Sequence, residues 1–128
     1  MEKIYLEKLK DILNKNAISY CVAADLDTDS VDRIGDVTEL EYKDLVEQLF
    51  GDIQQIKLLN DSLAGQQLPR FWQQGKVRCL VSKPKDSIIL GVFYNESRSL
   101  KESVYFGYEI MKKIDNIWKS TTPDNTSA

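Results

Sequence analysis

Three aspartates at alternate positions, Asp25, Asp27 and Asp29, have the spacing in this sequence that comes nearest to a metal site. Carboxylates at the first, third and fifth positions open a calcium-binding loop, which also needs a glycine at the sixth position and a glutamate at the twelfth. This sequence has Ser30 and Asp36 there, and the flanking residues have the pattern of strands. A polar turn between two strands is therefore the favoured interpretation, and no metal site is predicted.

Residues that commonly carry out catalysis are absent or lack partners. The sequence contains no histidine, which removes the commonest general base and metal ligand. The Gly-Lys-Val segment at 75–77 lacks the upstream glycine and the following hydroxyl residue of a phosphate-binding loop. Phe71, Trp72 and Trp118 could stack on a ligand, although packing in a core or an interface is the commoner use of such residues. We therefore predict a protein that is not an enzyme and that binds no cofactor.

Charge is unevenly distributed along the chain, although the net charge of the whole is only −3. Residues 25–52 contain ten acidic residues against Arg33 and Lys43, a local net charge of −8. A nucleic acid partner requires a basic surface, so this acidic block argues against nucleic acid binding. Two interpretations of the block remain. It is either the solvated face of a hairpin and a helix, which is the commoner case, or an acidic surface that attracts a basic partner.

The length of 128 residues, of which 42% are hydrophobic, suits one domain with its own core. The longest nearly continuous apolar run, residues 88–94, is too short to span a bilayer, and the sequence does not open with the pattern of a signal peptide. We therefore expect a cytoplasmic protein without membrane insertion. Cys21 and Cys79 lie in predicted strands, which indicates two buried thiols, with a disulfide as the minority alternative.

The N-terminal part of the chain is predicted to form a helix followed by a hairpin. Within residues 2–15 the apolar residues recur along one narrow helical stripe, which consists of Tyr5, Leu6, Leu9, Ile12 and Leu13. Residues 18–26 and 31–37 have the β-favouring composition of two strands, and the acidic residues 27–29 provide the turn between them.

A long middle helix is predicted over residues 39–60. Thr38 and Glu41 have the spacing of a capping box at its start. Gly51 lies inside this segment, where glycine costs about 1 kcal/mol relative to alanine. It is either simply tolerated or a point where the backbone of a second subunit or a partner approaches closely. The apolar face of the helix consists of Tyr42, Leu45, Val46, Leu49, Phe50, Ile53 and Ile56.

Three short strands are predicted in the following part of the chain, with Gly75 between the first two. The first strand, within residues 66–74, contains Pro69, which lacks the N–H required inside a sheet and so places this strand at an edge. The other two strands, residues 76–83 and 87–94, have apolar residues on both faces. Such strands are expected in a sheet that helices cover on both sides.

A last helix is predicted to begin after Ser99, which forms a second capping box with Glu102. Apolar residues then recur at spacings of four and three, at Leu100, Val104, Gly107, Met111, Ile114 and Trp118. From residue 120 onward the residues are small and polar. We therefore predict a single domain over residues 1–119 and a disordered tail over residues 120–128.

The sequence resembles the roadblock/dynein light-chain family in the order of these elements. The points of similarity are the strand at 22–25 with its aspartate-rich turn, the long middle helix, and the meander centred on Gly75 that ends in residues 87–93. The resemblance covers residues 3 to about 118. It implies an α+β fold in the order α-β-β-α-β-β-β-α, with a five-stranded antiparallel sheet in the order 2-1-5-4-3. The middle helix would cover one face and the terminal helices the other, the three-layer layout of profilin and longin domains.

The resemblance also implies a function in protein interaction. Members of the family are non-enzymatic dimers that pair their middle helices and the edges of their third strands, and they bind or regulate Ras-like GTPases or motor and sensory complexes. We therefore expect a homodimeric regulatory module of the bacterial or archaeal type, which acts as a co-regulator or scaffold of a small Ras-like GTPase. The alternative is a small-molecule-binding sensory domain, which would need a cavity between the sheet and a helix.

The expected contact residues lie on the middle helix and on the edge strand. Dimer contacts are expected from Leu49, Ile53, Ile56, Phe71 and Trp72. Contacts with a partner are expected from the outer face of the middle helix, at Asp44, Glu47 and Gly51.

Overall fold

The computed structural model describes residues 1–121, with side chains described as far as residue 119. Its strands form one antiparallel sheet in the order β2-β1-β5-β4-β3, so the predicted fold class and strand order are confirmed. Along the chain the elements are α1 (Lys3–Lys15), β1 (Tyr20–Asp25), β2 (Ser30–Gly35), a 3₁₀ turn (Val37–Glu39), α2 (Asp44–Phe50), α3 (Ile53–Ser62), β3 (Arg70–Gln74), β4 (Val77–Lys85), β5 (Ile88–Asn95) and α4 (Leu100–Thr121).

A hydrophobic core lies on each face of the sheet. The central strand β5 is buried at every residue except its last, and it therefore supplies apolar side chains to both cores. On one face, Phe50 of α2 and Ile56 of α3 are fully buried. On the other face, Leu9 of α1 and Ile114 of α4 are fully buried. Helices therefore cover both faces, as the apolar composition of the strands predicts.

The middle helix is not continuous, and this part of the prediction is wrong. α2 ends at Phe50 and α3 begins at Ile53, because Asp52 caps α3 and its Oδ1 accepts a hydrogen bond from the backbone N–H of Gln55 at 2.9 Å. Gly51 therefore lies at the break and not inside a helix. Nη2 of Arg33 on β2 donates to the carbonyl oxygens of Phe50 and Gly51 at 2.8 and 3.1 Å, which satisfies two carbonyls at the end of α2.

The predicted start of the middle helix is also wrong. Asp36 caps the short 3₁₀ turn, and its Oδ1 accepts a hydrogen bond from the backbone N–H of Thr38 at 2.9 Å. Hydrogen bonds from the Thr38 hydroxyl and then from its backbone N–H hold the pKa of the Asp36 carboxyl below its ordinary value. The backbone N–H of Glu41 donates to Oδ1 of Asn95 at 3.0 Å. Tyr42 consequently lies before α2 and is 47% exposed, although it was predicted to face the core.

The last helix begins as predicted. The hydroxyl of Ser99 donates to the Glu102 carboxylate at 3.0 Å, and the backbone N–H of Glu102 donates to the Ser99 hydroxyl at 3.3 Å. The helix continues to Thr121, and the rest of the tail predicted over residues 120–128 lies outside the described residues. Within residues 1–121 we find no helix that is both long enough and apolar enough to cross a membrane.

The two thiols are buried on opposite faces of the sheet. Cys21 of β1 lies opposite Val92 of β5, and Cys79 of β4 lies opposite Phe93, so β5 separates them. Cys21 belongs to the core under α1 and α4, and Cys79 to the core under α2 and α3. This arrangement places both thiols out of reach of each other and of solvent.

We expect both cysteines to be free and unreactive in the folded protein. Burial raises the pKa of the Cys21 thiol to about 12 and raises the pKa of Cys79 as well, so neither side chain forms the reactive thiolate at neutral pH. Titration with a thiol reagent should find two groups in denatured, unreduced protein and none in the native protein over the same period. Loss of both groups through an intramolecular disulfide would contradict the strand order.

Candidate interface at the free edge of the sheet

β3 is the outermost strand of the sheet on the side of β4. Gly75 has a φ of +58° and occupies the first position of the two-residue turn between β3 and β4, where a type II′ turn requires glycine. The residues that flank such a turn, Gln74 and Val77, form a hydrogen-bonded pair, and the pairs alternate from there. Phe71 and Gln73 consequently direct their backbone N–H and C=O groups away from β4. These unpaired groups can accept another strand.

Phe71 lies on the side of β3 that faces α4, and contacts from α4 and β4 fix the position of its ring. A Cβ atom added at Gly107 of α4 would lie only 2.6 Å from Cζ of Phe71 and 3.1 Å from a methyl group of Leu80. The guanidinium of Arg78 lies 4.7 Å from the centre of the Phe71 ring on β3, within the range of a cation–π contact. The glycine at position 107 therefore allows α4 to pack closely against the Phe71 ring. Phe71 is nevertheless only half-buried.

Trp72 lies on the opposite side of β3, where it packs against the core formed by α2 and α3. It is also only half-buried. The guanidinium of Arg70 lies 5.9 Å from the centre of the indole ring, and Arg70 in turn donates a hydrogen bond to the side chain of Gln66. The edge strand thus presents one partly exposed aromatic ring on each face of the sheet. This arrangement is typical of a surface that another chain covers.

A buried polar cluster fixes the start of α4 against the sheet. Oε2 of Glu96 accepts a hydrogen bond from the Ser103 hydroxyl at 2.6 Å, and Oε1 accepts bonds from the backbone N–H and the guanidinium of Arg98 at 2.8 and 3.0 Å. Arg78 of β4 donates to the same Ser103 hydroxyl. Although burial favours the neutral form, the hydrogen bonds from Ser103 and Arg98 lower the pKa of Glu96 below its ordinary value. Arg78 therefore contacts both this cluster and Phe71 of β3.

The structure gives the predicted apolar contact residues of the middle helices different exposures. Leu49 of α2 and Ile53 of α3 are half-buried, so each has surface available to another chain. Ile56 has no exposed surface and packs in the core beneath α3. Its side chain is used inside the domain and offers no surface for the expected dimer contact.

The polar residues predicted to meet a partner lie on α2 and at its C-terminal end. Asp44, Glu47 and Gly51 are all exposed. Glu47 and Gly51 line a surface cleft of about 340 Å³ together with Arg33 and Val37 from the region of β2. Because β2 and β3 are the two opposite edges of the sheet, the structure does not gather all of the predicted residues at one place. The candidate surfaces are the free edge of β3 and the acidic outer side of α2.

An apolar stripe on α4 is part of the surface that sequence reasoning did not identify. We call Leu100, Val104 and Tyr108 the α4 stripe; they are 75%, 37% and 46% exposed. Leu100 and Val104 were predicted to belong to the apolar face of this helix. Gly107, Ile114 and Trp118 of the predicted face are buried as expected, but the buried face extends towards Ser103, Ile110 and Ile117 and leaves Leu100 and Val104 outside. The second set of isoleucines, at spacings of four and three, was the signal for this different orientation.

The aspartate-rich hairpin turn does not hold a metal site in the described residues. Oδ1 of Asp25 accepts a hydrogen bond from the backbone N–H of Asp27 at 2.9 Å, as in an ordinary polar turn. Asp29 forms an ion pair with Lys57 of α3 at 2.9 Å. Within residues 1–121, no three carboxylate or thiol side chains lie close enough together to hold an ion.

Two further clefts, of about 600 and 560 Å³, lie on the surface along α4. Asn16 at the end of α1 lines the larger cleft, and Ile4 and Ile12 of α1 line the smaller one. Both are open grooves on the outside of the helices. The alternative function in small-molecule sensing was expected to use a cavity between the sheet and a helix, and these grooves are not of that kind.

Comparison with solved structures places this fold among those of MglB proteins. The chain is similar to MglB of Myxococcus xanthus, with a TM-score of 0.57 and 12% identity over 92% of this chain and 97% of the other. It is also similar to the gliding protein MglB of Thermus thermophilus, with a TM-score of 0.56 and 14% identity over 93% and 91% of the two chains. A third structure, described as MglB with a tetrameric arrangement, has a TM-score of 0.55 and 13% identity over 94% and 93%.

No family model matches the sequence, and no curated protein matches it either. At identities this low, similarity of structure establishes the fold alone. The fold expected from the resemblance to the roadblock/dynein light-chain family is present over nearly the whole chain. The chain therefore shares the α+β fold of these MglB structures.

Proposed function

We propose that this protein is a non-enzymatic homodimeric module that pairs through the free edge of β3 and acts as a co-regulator or scaffold of a small Ras-like GTPase. The observation that carries the dimer is the unpaired edge of β3 with a half-buried aromatic ring on each face, Phe71 and Trp72. The GTPase partner is supported by the family resemblance and by the acidic surface on α2. The MglB structure with a tetrameric arrangement shows that a protein of this fold can associate.

The absence of recognisable catalytic groups supports the non-enzymatic part of the proposal. The sequence has no histidine, and both cysteines are buried where they cannot act as nucleophiles. The exposed polar residues of the candidate surfaces, such as Asp44 and Glu47, suit electrostatic attraction between proteins. A motor or sensory complex is the other class of partner that the family resemblance implies.

We expect Gln73→Pro to weaken the dimer without unfolding the monomer. Gln73 is exposed and directs its N–H away from β4, so proline removes a hydrogen-bond donor from the free edge and none from the β3–β4 ladder. Gln73→Val keeps the N–H and is the matched control. Light scattering on the eluted protein should find a dimer at micromolar concentration for the wild type and Gln73→Val, and a monomer for Gln73→Pro. A wild-type monomer at high concentration would refute the proposed dimer.

Charge reversal on α2 should slow association with the GTPase. Asp44→Lys and Glu47→Lys change exposed side chains, so we expect folding to remain within about 0.5 kcal/mol of the wild type. Association with a Ras-like GTPase from the same cell should become slower and less dependent on salt, because exposed charges are screened over about 8 Å at physiological ionic strength. Glu7→Lys, on the opposite side of the sheet, is the control. If surface plasmon resonance shows unchanged association rates, the acidic block is only a solvated face and does not attract the partner.

A further inference from the structure

We propose that α4 takes part in the dimer, with the α4 stripe of one copy packed against the same stripe of a second copy. This inference rests on the proposed pairing of β3 edges. It adds a contact between the two α4 helices on one face of the paired sheets. The stripe consists of Leu100, Val104 and Tyr108, which are separated by four residues each and form a ridge along one side of the helix. Ridges at this spacing are the usual contacts of packed helices.

The exposure of the stripe indicates that something covers it. Leu100 is 75% exposed and Tyr108 is 46% exposed, although the opposite flank of the same helix packs against α1. Such a contiguous apolar ridge on a helix whose other exposed residues are mostly charged or polar is typical of an interaction surface.

The orientation of α4 directs the stripe towards the free edge of the sheet. Phe106 contacts Tyr94 of the central strand β5, with ring centres 5.2 Å apart. The next residue, Gly107, lies against Phe71 of the edge strand β3. With 3.6 residues per turn, the α4 stripe lies on the far side of Gly107 from Phe106. It therefore faces outward beyond β3, while α1 occupies the other flank through contacts such as Lys113 with Asn16 at 3.1 Å.

The spacing of strands places the two helices within reach of each other. In a symmetric dimer with antiparallel β3 edges, a two-fold axis perpendicular to the sheet carries both α4 helices onto the same face. α4 packs mainly above β4, and its Gly107 meets the side chains of both Phe71 on β3 and Leu80 on β4. With strands about 4.8 Å apart, the axes of two helices that each lie above β4 would be about 14 Å apart, and less if both lean towards β3. Packed helices are about 8 to 10 Å apart, and leucine and tyrosine side chains can fill the difference.

A second copy suits this surface better than an unrelated chain does. A two-fold interface brings each surface against itself, so like charges in it would be opposed. Leu100, Val104 and Tyr108 carry no charge, so this repulsion is absent along the stripe and arises only at its end, where Lys112 is the next residue at the same spacing. A strand of five residues is also too small to supply the roughly 800 Å² per partner that a stable interface buries. The stripe adjoins the strand and adds the apolar area that the edge lacks.

The test is the oligomeric state of Val104→Glu, with Tyr105→Glu as its matched control. Tyr105 is in the same turn and is 68% exposed, but it lines the cleft that Asn16 also lines. We expect Val104→Glu to raise the dimer dissociation constant roughly tenfold or more in analytical ultracentrifugation, because two carboxylates would face each other in an apolar contact. Tyr105→Glu should leave the constant unchanged, and both variants should keep the wild-type circular dichroism.

A cysteine variant provides a measurement that does not depend on loss of binding. Cys21 and Cys79 are buried, so Val104→Cys supplies the one accessible thiol among the described residues. Mild oxidation should link two copies of Val104→Cys, and it should fail to link copies of Tyr105→Cys.

The outcomes separate this inference from the dimer on which it rests. A wild-type monomer refutes the proposed function and the inference together. If the wild type is a dimer that Gln73→Pro dissociates while Val104→Glu does not, the edge pairing stands and the α4 contact is overturned. Equal weakening by Val104→Glu and Tyr105→Glu also overturns it. Loss of GTPase binding by Val104→Glu in an intact dimer would assign the stripe to the partner instead of to a second copy.

Discussion

Phe50→Ala should lower the free energy of unfolding by about 3 to 5 kcal/mol. The Phe50 ring is fully buried, packs edge-on against Phe93 with ring centres 5.9 Å apart, and lies directly over the backbone of Gly91 in β5. Truncation leaves a cavity that the rigid central strands cannot close. Leu58→Ala, at a position that is 64% exposed on α3, should change stability by less than about 0.5 kcal/mol. Urea denaturation at one fixed protein concentration measures both variants, because dimerisation would make stability depend on concentration.

The same contact predicts that Gly91→Ala is destabilising even though alanine suits a strand better than glycine does. A Cβ atom at residue 91 would lie 2.7 Å from Cζ of Phe50, which forces the ring to move and costs about 1 to 3 kcal/mol. The double variant of Phe50→Ala and Gly91→Ala should be more stable than the sum of the single changes implies, by about 0.5 to 3 kcal/mol. Strict additivity would show that Phe50 does not rest on Gly91.

The sequence predicts the sheet well because its signals are local. Gly75 marks a two-residue turn, so the β3–β4 hairpin follows from backbone chemistry alone. Pro69, which suggested the edge position, lies immediately before β3 and not within it, because the strand begins at Arg70 and not at residue 66. Apolar residues at every position of β5 except the last identify a strand covered on both faces. The strand order itself came from the family resemblance. The capping box at Ser99 has no competing partner nearby, and it forms as predicted.

The middle helix was mispredicted because its signals compete with contacts from distant residues. Asp52 and Gly51 together can end one helix and start another, but the apolar repeat continues across them and suggests a single helix. The break is stabilised by Arg33, which is 17 residues away from Phe50 in the chain and bonds to its carbonyl oxygen. The backbone N–H of Glu41 is likewise bonded to Asn95, which is distant in the sequence. Periodicity cannot detect such partners.

The candidate site was only partly predictable for the same reason. Phe71 and Trp72 were expected at the edge, and they lie there half-buried. The close approach of α4 to β3 requires the contact between Gly107 and Phe71, which joins residues far apart in the chain. Without that contact the sequence allows two orientations of α4, and Leu100 and Val104 of the α4 stripe are assigned to the core.

The buried carboxylate of Glu96 should make stability fall in acid. Hydrogen bonds from Ser103 and Arg98 outweigh the effect of burial and hold the pKa of Glu96 below its ordinary value in the folded protein. The unfolded chain therefore binds a proton more readily than the folded protein does. The stabilisation by Glu96 is present above the ordinary glutamate value of about 4.3, and it is lost as the pH falls below that value through the pKa of the folded state.

Glu96→Ala should lower the free energy of unfolding by about 1 to 3 kcal/mol at neutral pH, because it leaves the Ser103 hydroxyl and the Arg98 guanidinium without their acceptor. Ser103→Ala removes one hydrogen bond to the carboxylate and should cost about 1 kcal/mol. Glu7→Gln, at an exposed position on α1, is the control and should cost less than about 0.5 kcal/mol. Denaturation curves between pH 3 and 7 should show a weaker loss of stability in acid for Glu96→Ala than for the wild type, since the group that binds the additional proton on unfolding has been removed. If the two proteins lose stability equally steeply in acid, the Glu96 cluster does not hold its carboxylate in the charged form.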